Sequence, residues 1–135
     1  MPRHLSIVIP AFNEQHTIEK TLLEYYHFFK SKFSFNIIVV MDGCNDQTFD
    51  IVHGLSKKYT EIEYINHPKK LGKGGGIIKG FKSATGTYIA FTDADGSTPP
   101  KEIHKLIKQA KYSDVVIGSR WLKESTIKQK ESFIF

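Results

Sequence analysis

Five short apolar runs recur along the chain, and many of their residues are β-branched. They are Leu5–Ile9, Asn36–Met41, Ile62–Ile65, Tyr88–Thr92 and Asp114–Gly118. Three of the runs are almost entirely apolar instead of alternating with polar residues, which is typical of strands buried on both faces of a sheet. The runs therefore predict five strands of a mostly parallel sheet.

A helical pattern lies between each run and the next. The predicted helices fall within residues 18–29, 48–59, 73–82 and 100–110. In the first of them apolar residues recur at steps of three and four, as on one face of a helix. Pro100 suits the first turn of the last one. Strands that alternate with helices predict an α/β fold, a three-layer sandwich with helices on both faces of the sheet.

The composition is that of a single soluble domain with a basic charge. With 135 residues, 40% of them hydrophobic and 24% charged, the chain fits one domain over residues 1–135 that buries a core. The formal net charge of +5 predicts an anionic partner, such as a nucleotide, a phosphate or an acidic membrane surface. The lysines are scattered, and no basic helix interleaves them with aromatic residues, which argues against a nucleic-acid partner.

Cysteine content and apolar run length indicate the compartment. The single cysteine, Cys44, cannot form an internal disulfide, which favours a reducing compartment. No stretch approaches the roughly 20 apolar residues of a membrane span, and the N-terminus does not resemble a signal peptide. We therefore expect a cytoplasmic protein that does not cross the bilayer but can rest against its cytoplasmic face.

The loops after the strands hold the candidate functional residues, because ligands bind outside the carboxyl ends of the strands in such sheets. Asn13 and Glu14 either cap a helix or contact a base or ribose. Asp42, followed by Gly43, either begins a turn or accepts hydrogen bonds from a ribose hydroxyl or a base N–H. Taken alone, Asn13 and Glu14 favour the helix cap, whereas the turn and the ligand contact are equally favoured for Asp42.

The glycine-rich stretch LGKGGGIIKG begins at Leu71. It lacks the Ser or Thr that follows the lysine of a P-loop, and it comes after the third run, not after the first as a dinucleotide fingerprint would. Three consecutive glycines are unfavourable in a helix without a reason. Glycines allow a ligand close to the backbone, and Lys73 offers a charge to phosphate or a donor to a base. We interpret the stretch as ligand-binding, the alternative being a flexible turn before a weak helix.

Asp93 and Asp95 form a D-x-D pair at the end of the fourth run. Residues two apart point to the same side of a strand, so the two carboxylates can converge on a hard cation, Mg²⁺ or Mn²⁺, together with a diphosphate. The alternative is a turn that ends the strand at Gly96. Arg120, past the fifth run, has the geometry to clamp a diphosphate, although a lone arginine is more often a surface residue.

Together these motifs resemble the glycosyltransferases of family 2. SIVIPAFNE, VVMDGCND, LGKGGGIIKGF with ATG, YIAFTDADGSTPP and VVIGSR occur in the order and spacing of that family. The motifs are most similar to those of enzymes that make dolichyl- or polyprenyl-phosphate sugars, the mannose and especially the glucose synthases. The resemblance implies a Rossmann-like GT-A fold. It also implies inverting transfer of a sugar from a UDP- or GDP-linked donor to a lipid phosphate, as in cell envelope glycan biosynthesis.

The same resemblance implies the site residues and the cofactor. The nucleotide-sugar pocket would be lined by Pro10, Ala11, Asn13, Glu14, Asp42, Gly43, Gly72, Lys73, Asp93, Ala94 and Asp95. Asp93 would lie near the ribose or on the metal, Mg²⁺ or Mn²⁺, and Asp95 on the metal. Ser97 is the third candidate metal ligand; it is a weaker oxygen donor at the position where mannose synthases commonly place a glutamine ligand. The catalytic residues would be Asp95 and Arg120, with the arginine on the diphosphate or the sugar.

The chain departs from the family in two respects. Many relatives have two acidic residues where this chain has Met41 and Asp42. Family members also continue well past residue 135, so we interpret the chain as the nucleotide-binding part without the C-terminal acceptor part. Completion by another chain, a homo-oligomer and a non-catalytic nucleotide-sugar-binding remnant stay open. A sugar nucleotidyltransferase is disfavoured, because that class places a glycine-rich basic loop where this chain has AFNE.

Overall fold

The computed structural model describes residues 4–118, which form a parallel sheet between two layers of helices. The elements in chain order are β1 (His4–Ala11), α1 (Ile18–Phe29), β2 (Ser34–Asp42), α2 (Thr48–Lys58), β3 (Ile62–His67), α3 (Gly72–Ser83), β4 (Tyr88–Phe91) and α4 (Pro100–Ala110). The four strands have the order β3-β2-β1-β4, and each neighbouring pair is parallel. The predicted three-layer α/β sandwich is therefore confirmed.

The fifth predicted strand is wrong. Residues 114–118 form no strand in the structure, and Val115 and Ile117 are 75% and 81% exposed. A β-branched run becomes a strand only where a neighbouring strand satisfies its backbone groups and another layer covers its side chains. Within residues 4–118 this run obtains neither, because β4 ends the sheet without pairing to it.

Helices α1, α2 and α4 cover one face of the sheet, called here the three-helix face. Alternate residues of each strand point toward it, as the period of two in a strand requires. The strand and helix residues of this core are Leu5, Ile7, Ile9, Ala11, Phe35, Ile37, Val39, Met41, Ile62, Ile18, Leu22, Tyr25, Phe29, Val52, Leu55, Ile103 and Ile107. All of them are buried, so this layer holds most of the apolar interior of the fold.

Among residues 4–118, α3 is the only helix on the other face, called here the one-helix face. Its glycines let it lie very close to the strands. A Cβ on Gly80 would lie 2.3 Å from Val8 Cγ1, and a Cβ on Gly76 would lie 3.5 Å from Pro10 Cβ. At least part of the glycine-rich stretch is therefore explained by packing against β1 and β2.

Of the helices in residues 4–118, none has both the length and the apolar character that a membrane span requires.

Candidate functional site

A cavity of about 440 Å³ opens at the carboxyl ends of the strands. Its walls come from the ends of β1 and β2, from the loops after β1, β3 and β4, and from the start of α3. The lining residues are Pro10, Ala11, Phe12, Glu14, Asp42, Lys70, Lys73, Asp93, Ala94 and Asp95. Eight of these ten are residues that the sequence motifs predict. The structure thus brings four separate motifs together around one space.

The D-x-D turn is attached to α1 through its backbone. The hydroxyls of Thr17 and Thr21 lie 3.1 and 2.9 Å from the carbonyl oxygen of Ala94, between the two aspartates. Tyr25 donates its phenol hydrogen to the carbonyl oxygen of Thr98 at 2.7 Å. Because Thr21 and Tyr25 are almost fully buried, these contacts hold the turn against the three-helix face.

The phenol of Tyr25 ionises with difficulty. Its burial is the main reason that the pKa of Tyr25 is raised to about 12, and the nearby carboxylates of Asp93 and Glu24 add to the shift, while a hydrogen bond with Thr92 opposes it. Tyr25 therefore remains a neutral hydrogen-bond donor throughout the physiological pH range.

The two aspartates of the turn have different surroundings. Asp93 lies within 2.5 Å of the ammonium of Lys73, measured from Oδ1 to Nζ. Asp95 is exposed, and its Oδ1 accepts a hydrogen bond of 2.9 Å from the backbone N–H of Ser97. Gly96, between Asp95 and Ser97, has a φ of +77°, which a residue with a side chain rarely adopts. Both carboxylates line the cavity, whereas Ser97 does not.

Asp42 connects β2 to the start of α3. It is only 4% exposed, and its carboxylate accepts a hydrogen bond from the backbone N–H of Leu71. Next to it, Gly43 has a φ of +68°, and a Cβ there would lie 3.1 Å from the backbone nitrogen of Lys70. Asp42 therefore positions the glycine-rich segment, while it also lines the cavity.

Asn13 joins two loops and does not line the cavity. Its side-chain amide donates to Asn45 Oδ1 and its Oδ1 accepts from the Asn45 backbone N–H, both at 2.9 Å. Helix α1 begins only at Ile18, so the expectation that Asn13 caps a helix is wrong. The positive φ of 50° at Asn13 is the local reason, because it turns the chain away before the helix begins.

Glu14 is held in the cavity wall by the loop after β2. Its backbone N–H donates to Thr48 Oγ1 at 2.8 Å, and that hydroxyl donates to Asp46 Oδ1. Although partial burial raises the pKa of Asp46, hydrogen bonds from the Thr48 hydroxyl and from the backbone N–H groups of Thr48 and Gln15 lower it overall. Asp46 thus stays charged and ties the two loops together.

Two lining residues are absent from the sequence-based set. Phe12 is 42% exposed on the cavity wall, and the ammonium of Lys70 lies 4.3 Å from the centre of its ring. The signal for Phe12 is an aromatic residue placed within an otherwise polar loop. Lys70 is one of several lysines in its segment, and nothing in the sequence distinguishes it.

The remaining predicted residues lie apart from the cavity lining or outside the described part of the chain. Gly43 and Gly72 are neighbours of lining residues and have positive φ angles of +68° and +78°, so their role is in the backbone. Arg120 lies outside the residues that the structure describes. Its proposed contact with a diphosphate stays a prediction.

Among residues 4–118, no group of three or more His, Cys, Asp or Glu side chains is arranged to hold a metal ion. Asp93 and Asp95 offer hard oxygen donors, which suit Mg²⁺ or Mn²⁺. The ammonium of Lys73 at 2.5 Å from Asp93 is a cation in contact with one of them. The pair of carboxylates therefore fits a divalent cation.

Comparison with known proteins identifies the family of this chain. The family model of glycosyl transferase family 2 matches residues 6–133. A dolichyl-phosphate beta-glucosyltransferase of Trichomonas vaginalis is 34% identical over 97% of this chain and 44% of its own length. A dolichol-phosphate mannosyltransferase of Pyrococcus furiosus is 35% identical over 88% of this chain and 34% of its own length. The chain thus spans less than half the length of these relatives.

Solved structures show the same fold. A mannosyltransferase of Pyrobaculum calidifontis, solved in complex with GDP-Man and Mn²⁺, superposes with a TM-score of 0.68 at 19% identity. The superposed part covers 82% of this chain and 33% of the mannosyltransferase chain. Glucosyl-3-phosphoglycerate synthase of Mycobacterium tuberculosis, solved with Mn²⁺, UDP and phosphoglyceric acid, gives a TM-score of 0.62 at 21% identity and covers 80% and 39% of the two chains. The predicted GT-A fold is confirmed, and the chain belongs to glycosyl transferase family 2.

Proposed function

We propose that this chain is the nucleotide-sugar-binding part of an inverting hexosyltransferase. Its donor is a UDP- or GDP-linked sugar, and its acceptor is a lipid phosphate such as dolichyl or polyprenyl phosphate. The observation that carries the proposal is the convergence of Asp42, Lys73, Asp93 and Asp95 on one cavity at the carboxyl edge of the sheet. The names of the relatives, which are dolichyl-phosphate glucosyl- and mannosyltransferases, support the choice of acceptor.

The base and ribose of the donor lie on the side of the cavity formed by β1 and β2. The exposed ring of Phe12 offers a flat apolar surface to a base, because aromatic faces stack with planar rings. The carboxylates of Glu14 and Asp42 accept hydrogen bonds from base N–H groups or ribose hydroxyls. Lys70 and Lys73 supply positive charge toward the phosphates.

The diphosphate and the metal lie on the side formed by β4 and α3. Asp93 and Asp95 would hold Mg²⁺ or Mn²⁺, in line with the Mn²⁺ present in structures of two proteins with this fold. Such an ion neutralises the charge that develops on a departing nucleoside diphosphate. Arg120 is proposed to share that role, and with Asp95 it forms the proposed catalytic pair.

The acceptor needs no general base from residues 4–118. The second pKa of a phosphate monoester is about 6, so a lipid phosphate is already anionic at neutral pH. A hydroxyl acceptor would instead require a base within reach of its proton. A lipid acceptor also places the working protein at the membrane surface, which we propose to be its cytoplasmic face.

Calorimetric titration with UDP-glucose and GDP-mannose, with and without Mn²⁺, tests the donor site. We expect Mn²⁺-dependent binding of at least one donor by the wild type and loss of that dependence in Asp95→Asn. Asp50→Asn on the exposed side of α2 removes the same charge away from the cavity and serves as the control. Absence of binding to either donor at any Mn²⁺ concentration would overturn the proposal.

Transfer of radiolabelled sugar to polyprenyl phosphate tests the reaction itself. The expected result is a labelled lipid that forms only with Mn²⁺ or Mg²⁺ and the matching donor. Donor binding without any transfer would instead identify the chain as a nucleotide-sugar-binding module.

A further inference from the structure

Lys73 and Asp93 form the shortest ion pair among the described residues. The distance from Nζ to Oδ1 is 2.5 Å, and the two side chains are 54% and 31% exposed. The pair joins the second residue of α3 to the residue that follows β4 and Thr92. It therefore links α3 to the D-x-D turn, and both residues line the cavity.

The contact depends on how closely α3 approaches the sheet. Gly76 and Gly80 bring α3 against β1 and β2, and Asp42 holds the backbone just before the helix through Leu71. These contacts hold α3 against β1 and β2, and from there the side chain of Lys73 reaches Asp93. Lys73 is thus positioned by the backbone, while its exposed side chain can still change its partner.

We propose that Lys73 is a built-in counter-cation that occupies Asp93 whenever the metal is absent. This inference rests on the proposed metal and donor site. The lysine ammonium lies against Oδ1 of Asp93, and a divalent cation bound to the same carboxylate would be held close to it and repelled by it. Lys73 therefore weakens metal binding at Asp93 until its ammonium moves away.

A bound diphosphate gives the displaced lysine a new partner. The cavity lining holds four carboxylates and two lysines, so a bound phosphate needs positive charge beside it, and an ammonium that leaves Asp93 supplies that charge. The nucleotide thereby favours the state that accepts the metal, and by linkage the metal favours the nucleotide equally. Coupling of this kind typically changes an affinity by about 5- to 150-fold.

Lys70 provides a matched comparison within the same cavity. It carries the same charge, but its ammonium lies over the ring of Phe12. In residues 4–118 it makes no ion pair with a carboxylate. Lys73→Met and Lys70→Met therefore remove equal charge from the cavity, and only the first removes a competitor from Asp93.

The test measures Mn²⁺ binding alone, from the signal of free Mn²⁺ in electron paramagnetic resonance, without nucleotide. We expect Lys73→Met to bind Mn²⁺ about fivefold more tightly than the wild type or better. Lys70→Met should change the affinity less, and Lys73→Arg should behave as the wild type. Equal effects of the two methionine variants, or no gain in Lys73→Met, would overturn the inference.

A second titration repeats the measurement with UDP or GDP at saturation. In the wild type the nucleotide should tighten Mn²⁺ binding, and in Lys73→Met it should do so clearly less. If the nucleotide tightens Mn²⁺ binding by Lys73→Met as much as by the wild type, the proposed coupling through Lys73 is wrong. Failure of this coupling can be told apart from failure of the proposed donor site. A protein without a donor site binds no nucleotide in the calorimetric titration, whatever its affinity for Mn²⁺ alone.

Discussion

The two faces of the sheet differ in how completely they are covered. On the three-helix face, Leu22 and Phe29 of α1 are fully buried. On the one-helix face, Phe81 of α3 and Phe91 of β4 remain 38% and 50% exposed. Their ring centroids lie 6.2 Å apart, about as close as the 6.1 Å between Tyr25 and Phe29 on the three-helix face. The apolar side chains are of similar kind, so the number of covering helices makes the difference.

This difference separates rigid parts of the site from adjustable ones. The backbone of the D-x-D turn is attached to the three-helix face through buried hydroxyls of Thr21 and Tyr25. Lys73 reaches the same turn from the one-helix face with an exposed side chain. The backbone that carries the two aspartates is therefore held in place, whereas the lysine that contacts Asp93 can change its partner.

The largest expected effect compares one phenylalanine from each face. Phe29→Ala should lower the free energy of unfolding by about 3–5 kcal/mol, because it leaves a cavity in the buried layer. Phe81→Ala should cost about 1 kcal/mol, since much of that ring already contacts water. Urea denaturation of both variants measures the two values. Similar costs would show that the one-helix face is packed as tightly as the other.

A smaller effect compares two helical glycines. In Gly80→Ala the new methyl would lie 2.3 Å from Val8 Cγ1, and overpacking of this kind costs about 1–3 kcal/mol. In Gly54→Ala of α2 nothing lies within 4 Å of the new methyl, so the gain in helix propensity should stabilise the protein by up to about 1 kcal/mol. The same urea denaturation experiment shows whether each variant is less or more stable than the wild type. If Gly80→Ala is also stabilising, α3 does not need its close approach to β1.

The smallest expected effect concerns the attachment of the D-x-D turn. Tyr25→Phe removes the hydroxyl that donates to Thr98, which should cost about 0.5–1.5 kcal/mol of stability and weaken Mn²⁺-dependent donor binding. Tyr112→Phe, at a tyrosine that is 76% exposed, is the control and should change neither. Loss of stability without any loss of donor binding would show that the turn keeps its geometry unaided.

The contribution of Tyr25 should also depend on pH. Because its pKa is raised from 10.0 to about 12, the folded state holds the phenol proton more tightly than the unfolded state. The stabilisation is complete below pH 10 and is lost as the pH rises toward 12. The stability difference between the wild type and Tyr25→Phe should therefore shrink across that range, and a constant difference would contradict the burial of the hydroxyl.

Much of the fold could be predicted from local patterns. The buried apolar runs that became β1 and β2 and the three- and four-residue spacing in α1 are properties of neighbouring residues, so they can be recognised without the fold. Asp114–Gly118 shows the limit of this reasoning. Its composition suits a strand, but pairing depends on a neighbour that no local pattern reveals.

The site was predictable to a lesser degree. Asp93 and Asp95 could be recognised because a D-x-D pair ends an apolar run, and both do line the cavity. Asn13 could not be assigned, because its amide pairs with Asn45, which lies 32 residues away along the chain. The different partners of Lys70 and Lys73 could not be predicted either, because Phe12 and Asp93 lie far from them in the sequence.

The sequence by itself determined the order of the four strands and four helices, the loops that line the cavity and the chemical types that those loops carry. These follow from periodicity, from turn residues and from the charge of each side chain, all of which are local. Only the tertiary structure decided that Gly80 serves packing, that Asp42 holds Leu71 and that Lys73 pairs with Asp93. Such contacts join residues far apart in the chain, and their geometry exists only once the sheet and its helices have packed.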